Sequence, residues 1–263
     1  MPAALYRFTA KERSEEYEKC VADFMAYRFF NGQIKSLEWI SYWRENYFCV
    51  ACEIHWEGSL NKVLFSRAVE KQNYEELLRL SAQEPEYELL SYQRGYENNL
   101  WSHYEKLIVY GSTDKEKCIY GNSFRSPIWI DTLPDEFNRY ELVDWNLSFS
   151  ATYADYLYGF SRDKAYQEIV SCDSELNKRG RKIAENIGKF SGKSTYYCLF
   201  DITKVDFDAR KDKCPSCGSK WYGPTKKKAK GLDTFEYCCH CCLLLKAKPT
   251  TRAQLQHRGY TKW

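Results

Sequence analysis

Apolar and polar residues alternate from Tyr47 to Trp56. Phe48, Val50, Cys52, Ile54 and Trp56 fall on one face, the two-residue period of a half-buried strand. Earlier in the chain, Leu5 to Phe8 reads as a strand. Thr9-Ala-Lys-Glu12 fits a capping box, and Tyr17, Val21, Phe24 and Met25 follow at helical spacing up to Asn31-Gly32, a good helix stop. Ile34 to Trp43 admits either helix or strand. A strand, helix and hairpin in this order fit a ferredoxin-like half. Tyr74 to Leu80 reads as helix, and strands are expected near Leu89–Tyr92, Lys106–Tyr110 and Pro127–Ile130. Tyr153, Tyr156, Leu157 and Phe160 then have helical spacing. A second helix runs from about Asp173 with Leu176, Ile183, Ile187 and Phe190 inward, ends at Ser191-Gly192, and is followed by a closing strand over Tyr196–Phe200. The pattern changes near Thr203. Residues 1–203 form an α+β body of helices and antiparallel sheet, and residues 204–263 form a basic, cysteine-rich module. No internal repeat is present.

Composition narrows the class. Of 263 residues 17% are aromatic, with 22 Tyr and 8 Trp, enough for a substantial core. The first residues lack the basic-then-apolar pattern of a signal peptide, and no apolar stretch approaches the ~20 residues that span a bilayer. The expectation is a cytoplasmic protein with no membrane partner. In that setting the 12 cysteines read as thiols or metal ligands rather than a disulfide framework. Cys20, Cys49, Cys52, Cys118, Cys172 and Cys198 are scattered, whereas the other six lie together between Cys214 and Cys242.

The chemistry is concentrated there. Cys214 and Cys217 form one CxxC knuckle, and beyond 21 intervening residues Cys239 and Cys242 form another. This is the spacing of a zinc ribbon, in which one structural Zn²⁺ accepts four thiolates tetrahedrally. Gly218 is expected to relieve crowding where backbone amides approach the sulfurs. Cys238 and Cys241 offer the same spacing, and His240 is a further candidate ligand. The Cys239–Cys242 register is preferred because it abuts the apolar run Leu243–Leu245 and puts Tyr237 on the same strand face as Cys239. Four thiolates leave no open position for a catalytic water. Cys49 and Cys52 are also spaced CxxC, but on a strand they point to opposite faces and cannot chelate one ion. The four histidines make no metal array, no glycine-rich phosphate loop is present, and Asp131, Asp135 and Glu136 read as solvated loop carboxylates. No catalytic constellation emerges.

Charge is split along the chain. Residues 211–263 carry twelve Lys and Arg less three acids, a net +9, which against +3 overall leaves −6 on residues 1–210. Trp221 and Tyr222 precede Lys226, Lys227, Lys228 and Lys230, and Lys246, Lys248 and Arg252 follow the second knuckle. Lysines neutralise phosphates and exposed rings stack on unpaired bases, so these residues are candidate nucleic-acid contacts.

Several stretches carry a family resemblance: NGQI at 31–34, GNSFRSPIWIDTLP at 121–134, DSELNKRGRKIAENI at 173–187, STYYCLF at 194–200, CPSCGSKW at 214–221 and CCHCCLLL at 238–245. Together they resemble bacterial zinc-ribbon proteins of unknown function for which nucleic-acid binding has been suggested. The resemblance implies rubredoxin-like β-hairpin knuckles with ligands at Cys214, Cys217, Cys239 and Cys242. It departs after the second knuckle, where a basic segment over 245–263 replaces a Ser-Asn-rich ending. The expected function is a non-enzymatic adaptor whose basic ribbon contacts DNA or RNA without strong sequence preference, while the acidic body binds a protein. The competing reading is a pure protein-interaction module, such as an immunity or defence-system component. A third is an enzyme with its site in the body.

Overall fold

The computed structural model describes residues 2–91, 100–113, 117–122, 127–200, 213–219, 235–239 and 243–247, with only the backbone described for 235–238, 246 and 247. The chain divides into two compact units, one of residues 1–98 with 129–143, the other of 99–128 with 144–263. Both are mixed α+β. The expected composition boundary near Thr203 lies outside the described residues.

The first unit runs β1 (Ala3–Thr9), α1 (Glu15–Phe30), β2 (Ile40–Arg44), β3 (Tyr47–Glu53), α2 (Ala68–Leu80) and β4 (Glu86–Ser91). Its strands are all antiparallel in the order β2-β3-β1-β4, the βαββαβ arrangement of a ferredoxin-like sandwich. Alternation along β1 sends Ala4, Tyr6 and Phe8 inward. There Tyr6 and Phe8 meet Phe24 of α1 edge-on at 6.0 and 5.8 Å between ring centres, and Phe24 stacks on Tyr74 of α2 at 5.5 Å. The CxxC of β3 behaves as its period requires. Cys52 pairs with Ala4 on the helix-facing side and Cys49 with Arg7 on the other, and both are buried. The ambiguous stretch resolves into an isolated bridge from Ile34 to Ile54 and then strand β2.

The expected capping box is not formed. Thr9 is the last residue of β1, paired with Tyr47, and the cap of α1 is Ser14, whose Oγ accepts from Tyr17 N at 3.1 Å. Asn31 does cap the far end, and Gly32 takes φ +72°. That turn packs on residues 129–143. A Cβ on Gly32 would stand 2.6 Å from Ile130 Cβ. The NGQ turn and the IWIDT stretch, two patches of the resemblance, are thus neighbours. The strand expected over Pro127–Ile130 is absent. Pro127 makes one bridge with Tyr120, and Ile130–Thr132 form a 3₁₀ turn.

The second unit contains β5 (Lys106–Tyr110), β6 (Ile119–Tyr120), most of α3 (Arg139–Tyr158), α4 (Arg162–Val170), α5 (Glu175–Ser191), β7 (Ser194–Leu199), β8 (Phe235–Cys239) and β9 (Leu244–Ala247). The sheet order is β6-β5-β7-β9-β8, with β5, β7 and β9 parallel and the outer strands antiparallel. Strand β7 lies at its centre, which explains its unbroken apolar run. Tyr197 faces α5, where Gly180 lets its ring approach together with Trp145, while Ile108, Tyr196, Cys198 and Leu245 cluster. Helix α5 starts at Ser174, whose Oγ accepts from Asn177 N, and ends at Gly192 with φ +68°. Leu176, Ile183 and Ile187 are inward as expected, but Phe190 is 42% exposed, one position past the buried stripe.

Candidate metal centre

The first knuckle is a tight turn. Gly218 N donates to Cys214 O and Cys214 N to Ser219 O, both at 2.8 Å, folding the chain back over Pro215–Cys217. Gly218 has φ +69°, and among the described residues nothing lies within 4 Å of a Cβ placed on it. The glycine therefore answers a left-handed backbone requirement, and the crowding expected from the sequence is not seen among the described residues. The second side comes from the β8–β9 hairpin. Cys239 pairs with Leu244, the last rung before the hairpin tip, and Leu243 enters β9 at φ +49°. Leu243 O accepts from Tyr197 N at 2.9 Å, and β9 then runs parallel to β7, so the hairpin is fixed to the sheet centre.

These two turns bring the thiols of Cys214, Cys217 and Cys239 within 4.8 Å of one another, with Cys217 Sγ 3.6 Å from Cys239 Sγ. Cys214 and Cys239 are buried and Cys217 is exposed. Thiolates about 2.3 Å from a shared tetrahedral ion stand about 3.8 Å apart, close to the separation of the Cys217–Cys239 pair. Three close thiols that can hold a metal are what the described residues supply. The fourth expected ligand, Cys242, lies outside the described residues, as do Trp221, Tyr222, Lys226, Lys227, Lys228, Lys230, Lys248 and Arg252. Lys246 is placed in β9 opposite Leu199 by its backbone alone.

Two further residues support the knuckle, and neither stood out in the sequence. Arg181 of α5 donates from Nη1 to Ser216 Oγ at 2.7 Å and from Nη2 to the Cys172 carbonyl at 3.1 Å. Ser216 sits inside the CPSC turn, so the guanidinium ties that turn to the α4–α5 connection. The connection is itself held by Asn177, whose Nδ2 donates to the carbonyls of Glu168, Ile169 and Ser171 while its Oδ1 accepts from Tyr197 Oη. Cys172 is buried there, and its thiol is pushed up by burial, with the Arg181 guanidinium pulling it down and Cys214 near enough to add to the rise. Beside the knuckle an open groove of about 460 Å³ is lined by Lys178, Arg181, Lys182, Glu185, Tyr197 and Leu243. Its lysines pair with Glu175 at 2.9 Å and Glu185 at 3.0 Å, exposed partners that screen only weakly.

The first unit holds a second polar cluster, at a position expected to be a solvated loop. Asp131 Oδ2 accepts from Trp56 Nε1 at 2.9 Å, and Oδ1 is buried without a hydrogen-bond partner among the described residues. Burial raises its pKa to about 6, against the pull of His55, the Trp56 hydrogen bond and Arg139. Asp135 does lie at the surface, near Lys62 and Arg139. Buried Glu70 is fully engaged, accepting from Asn31 Nδ2, Ser66 N and Arg67 Nε at 3.0, 2.8 and 2.9 Å. Neither cluster has the nucleophile–base geometry of a catalytic site.

Two proteins of Haemophilus influenzae, each described only as an uncharacterized protein, are 37% identical to the chain over 79 residues, 30% of its length. The aligned stretch covers 37% of one and 29% of the other, so the chain matches about a third of these relatives. No family model matches the chain, and no solved structure matches it. Among the described residues, no helix is long and apolar enough to cross a membrane.

Proposed function

We propose that this is a non-enzymatic zinc-ribbon protein whose basic tail contacts nucleic acid, without strong sequence preference, while the acidic body engages a protein partner. The observation that carries the reading is the convergence of Cys214, Cys217 and Cys239 from two turns 20 residues apart or more. With Cys242 as fourth donor, one Zn²⁺ would be enclosed by sulfur. Its role is then to staple the knuckles, because no coordination position is left for a substrate. Between the stapled turns the chain carries Trp221, Tyr222, Lys226, Lys227, Lys228 and Lys230, within a tail of net +9. The cationic groove of Lys178, Arg181 and Lys182 beside the knuckle adds to that positive field.

The test is fluorescence anisotropy of the zinc-loaded chain with labelled single-stranded and duplex DNA and RNA across a salt series. It is repeated with Lys226, Lys227, Lys228 and Lys230 all changed to Gln. The reading expects binding that survives about 0.15 M salt and a variant whose salt slope is flatter by about three units. Binding that is lost by that ionic strength, or that ignores the four lysines, removes nucleic acid as the ligand and leaves the protein-interaction module.

A further inference from the structure

The two edges of the four-stranded sheet are built differently. Strand β4 carries Glu86 and Glu88, the latter bridged to Arg7 at 2.7 Å, and a register shift between Ala3 and Ala4 breaks its pairing with β1. Acidic side chains and a bulge are two of the devices that keep an edge from pairing with another chain. Strand β2, at the other edge, has neither. It pairs with β3 without interruption from Ile40 to Arg44, contains no proline, and exposes Ile40 at 71% and Tyr42 at 43%. Among the described residues no strand lies on its outer side.

The side chains of this edge are complementary to themselves. Ile40, Tyr42 and Arg44 lie on the face turned away from α1 and α2, in line with Ala51, Cys49 and Tyr47 of β3. In an antiparallel pair of two β2 strands centred on Ser41, Ile40 of one copy stands opposite Tyr42 of the other. Glu38 and Trp39 precede β2, and with the extended run continued through them Glu38 stands opposite Arg44 and Trp39 opposite Trp43. Trp43 is already held for such packing, with its Nε1 donating to Glu18 at 2.7 Å and the Arg13 guanidinium 4.9 Å from its ring centre. Centring one residue later would set Ile40 against Arg44 and Trp39 against Glu45, losing both the apolar and the ionic match.

We propose that β2 is a homodimer edge: two copies of this chain join antiparallel about Ser41, making one continuous eight-stranded sheet. The occupant is a second copy because the apolar pair, the ion pair and the aromatic pair all close within this one short segment. An unrelated peptide would supply none of these by necessity. The isologous geometry also closes on itself, so it ends at two copies and does not propagate.

Light scattering and sedimentation of the full chain, from about 1 µM to 1 mM, test it. The expected mass rises toward twice 31.2 kDa. Ile40→Lys with Tyr42→Lys, both at exposed positions, gives the single-chain mass throughout with an unchanged circular dichroism spectrum. Glu38→Arg alone weakens association about tenfold by facing two Arg44 side chains with arginines, and adding Arg44→Glu restores it. A single-chain mass at every concentration overturns the proposal. So does a dimer that persists in the double-lysine variant, or a charge swap that fails to restore association. None of these outcomes bears on the thiol cluster or on nucleic-acid binding.

Discussion

Arg181 donates a hydrogen bond to Ser216, 35 residues further along the chain, and so links the middle of α5 to the turn that presents Cys214 and Cys217. A partner that orients a ligand-bearing turn is typically worth about 10–100-fold in metal affinity. Arg181→Met keeps much of the apolar stem and removes both bonds. If the thiols hold zinc as proposed, it is expected to weaken zinc retention about tenfold in competition with a chromogenic chelator, while Lys178→Met, on the same groove, leaves it unchanged.

Gly32 and Gly218 share a left-handed backbone, yet the structure separates their costs. At Gly32 a Cβ would press on Ile130 Cβ at 2.6 Å, while at Gly218 it meets nothing within 4 Å among the described residues. Gly32→Ala combines strain with overpacking and is expected to cost about 2–4 kcal/mol in urea unfolding. Gly218→Ala carries backbone strain alone, about 1–2 kcal/mol. Equal losses at both sites would contradict this division.

Much of the first unit was legible because β1 and α1 each bury one regular face, and side-chain period is a local property. Thr9 misled because its TxxE pattern is a real capping signal, overridden here by the pairing of Thr9 with Tyr47. The apolar run Ile128–Ile130 is buried as a strand would be, but its backbone is satisfied by turn bonds such as Thr132 N to Trp129 O at 3.1 Å. The thiol spacing pointed to Cys214, Cys217 and Cys239, which the structure brings together. Arg181 reaches that cluster through Ser216 and ties it to Cys172 on the Asn177-stapled α4–α5 connection, a tertiary fact with no local signature.

Asp131 makes the first unit sensitive to pH. Its folded pKa of about 6 lies above the ordinary carboxylate value of about 3.9, so the folded state holds the proton more tightly than the unfolded chain does. Its contribution is most favourable below about pH 4 and is lost as pH rises through 6. Asn in its place is uncharged and can still accept from Trp56. Asp131→Asn is therefore expected to gain about 1–3 kcal/mol over the parent at pH 8 and to match it near pH 4. Chemical unfolding of both chains at the two pH values measures the difference, and a gain that does not change with pH would refute the assignment.

Glu70 is the opposite case, a buried carboxylate with all its neighbours aligned. It receives Asn31, Ser66 and Arg67 at the junction of the NGQ turn and α2. Glu70→Ala leaves three donors without their acceptor and is expected to destabilise the chain by about 3–5 kcal/mol. Glu70→Gln, which keeps the shape and one acceptor, is expected to cost less than half of that.

Metal removal should act on one sheet and spare the other. Strand β9 is hydrogen-bonded to β7 over Tyr197–Leu199, and Leu244 and Leu245 are completely buried against the second unit's core. If the thiols hold the β8–β9 hairpin closed, chelation or Cys239→Ser frees β9 and strips β7 of a neighbour. Amides of Tyr197 and Leu199 are then expected to exchange with deuterium at least tenfold faster, reflecting a local opening made easier by more than about 1.4 kcal/mol. Amides of β1 and β3 belong to the other sheet and are expected to keep their protection. Uniform loss of protection in both sheets would mean that the metal holds up the whole chain, and no change in β7 would mean that the three thiols sit together without needing one.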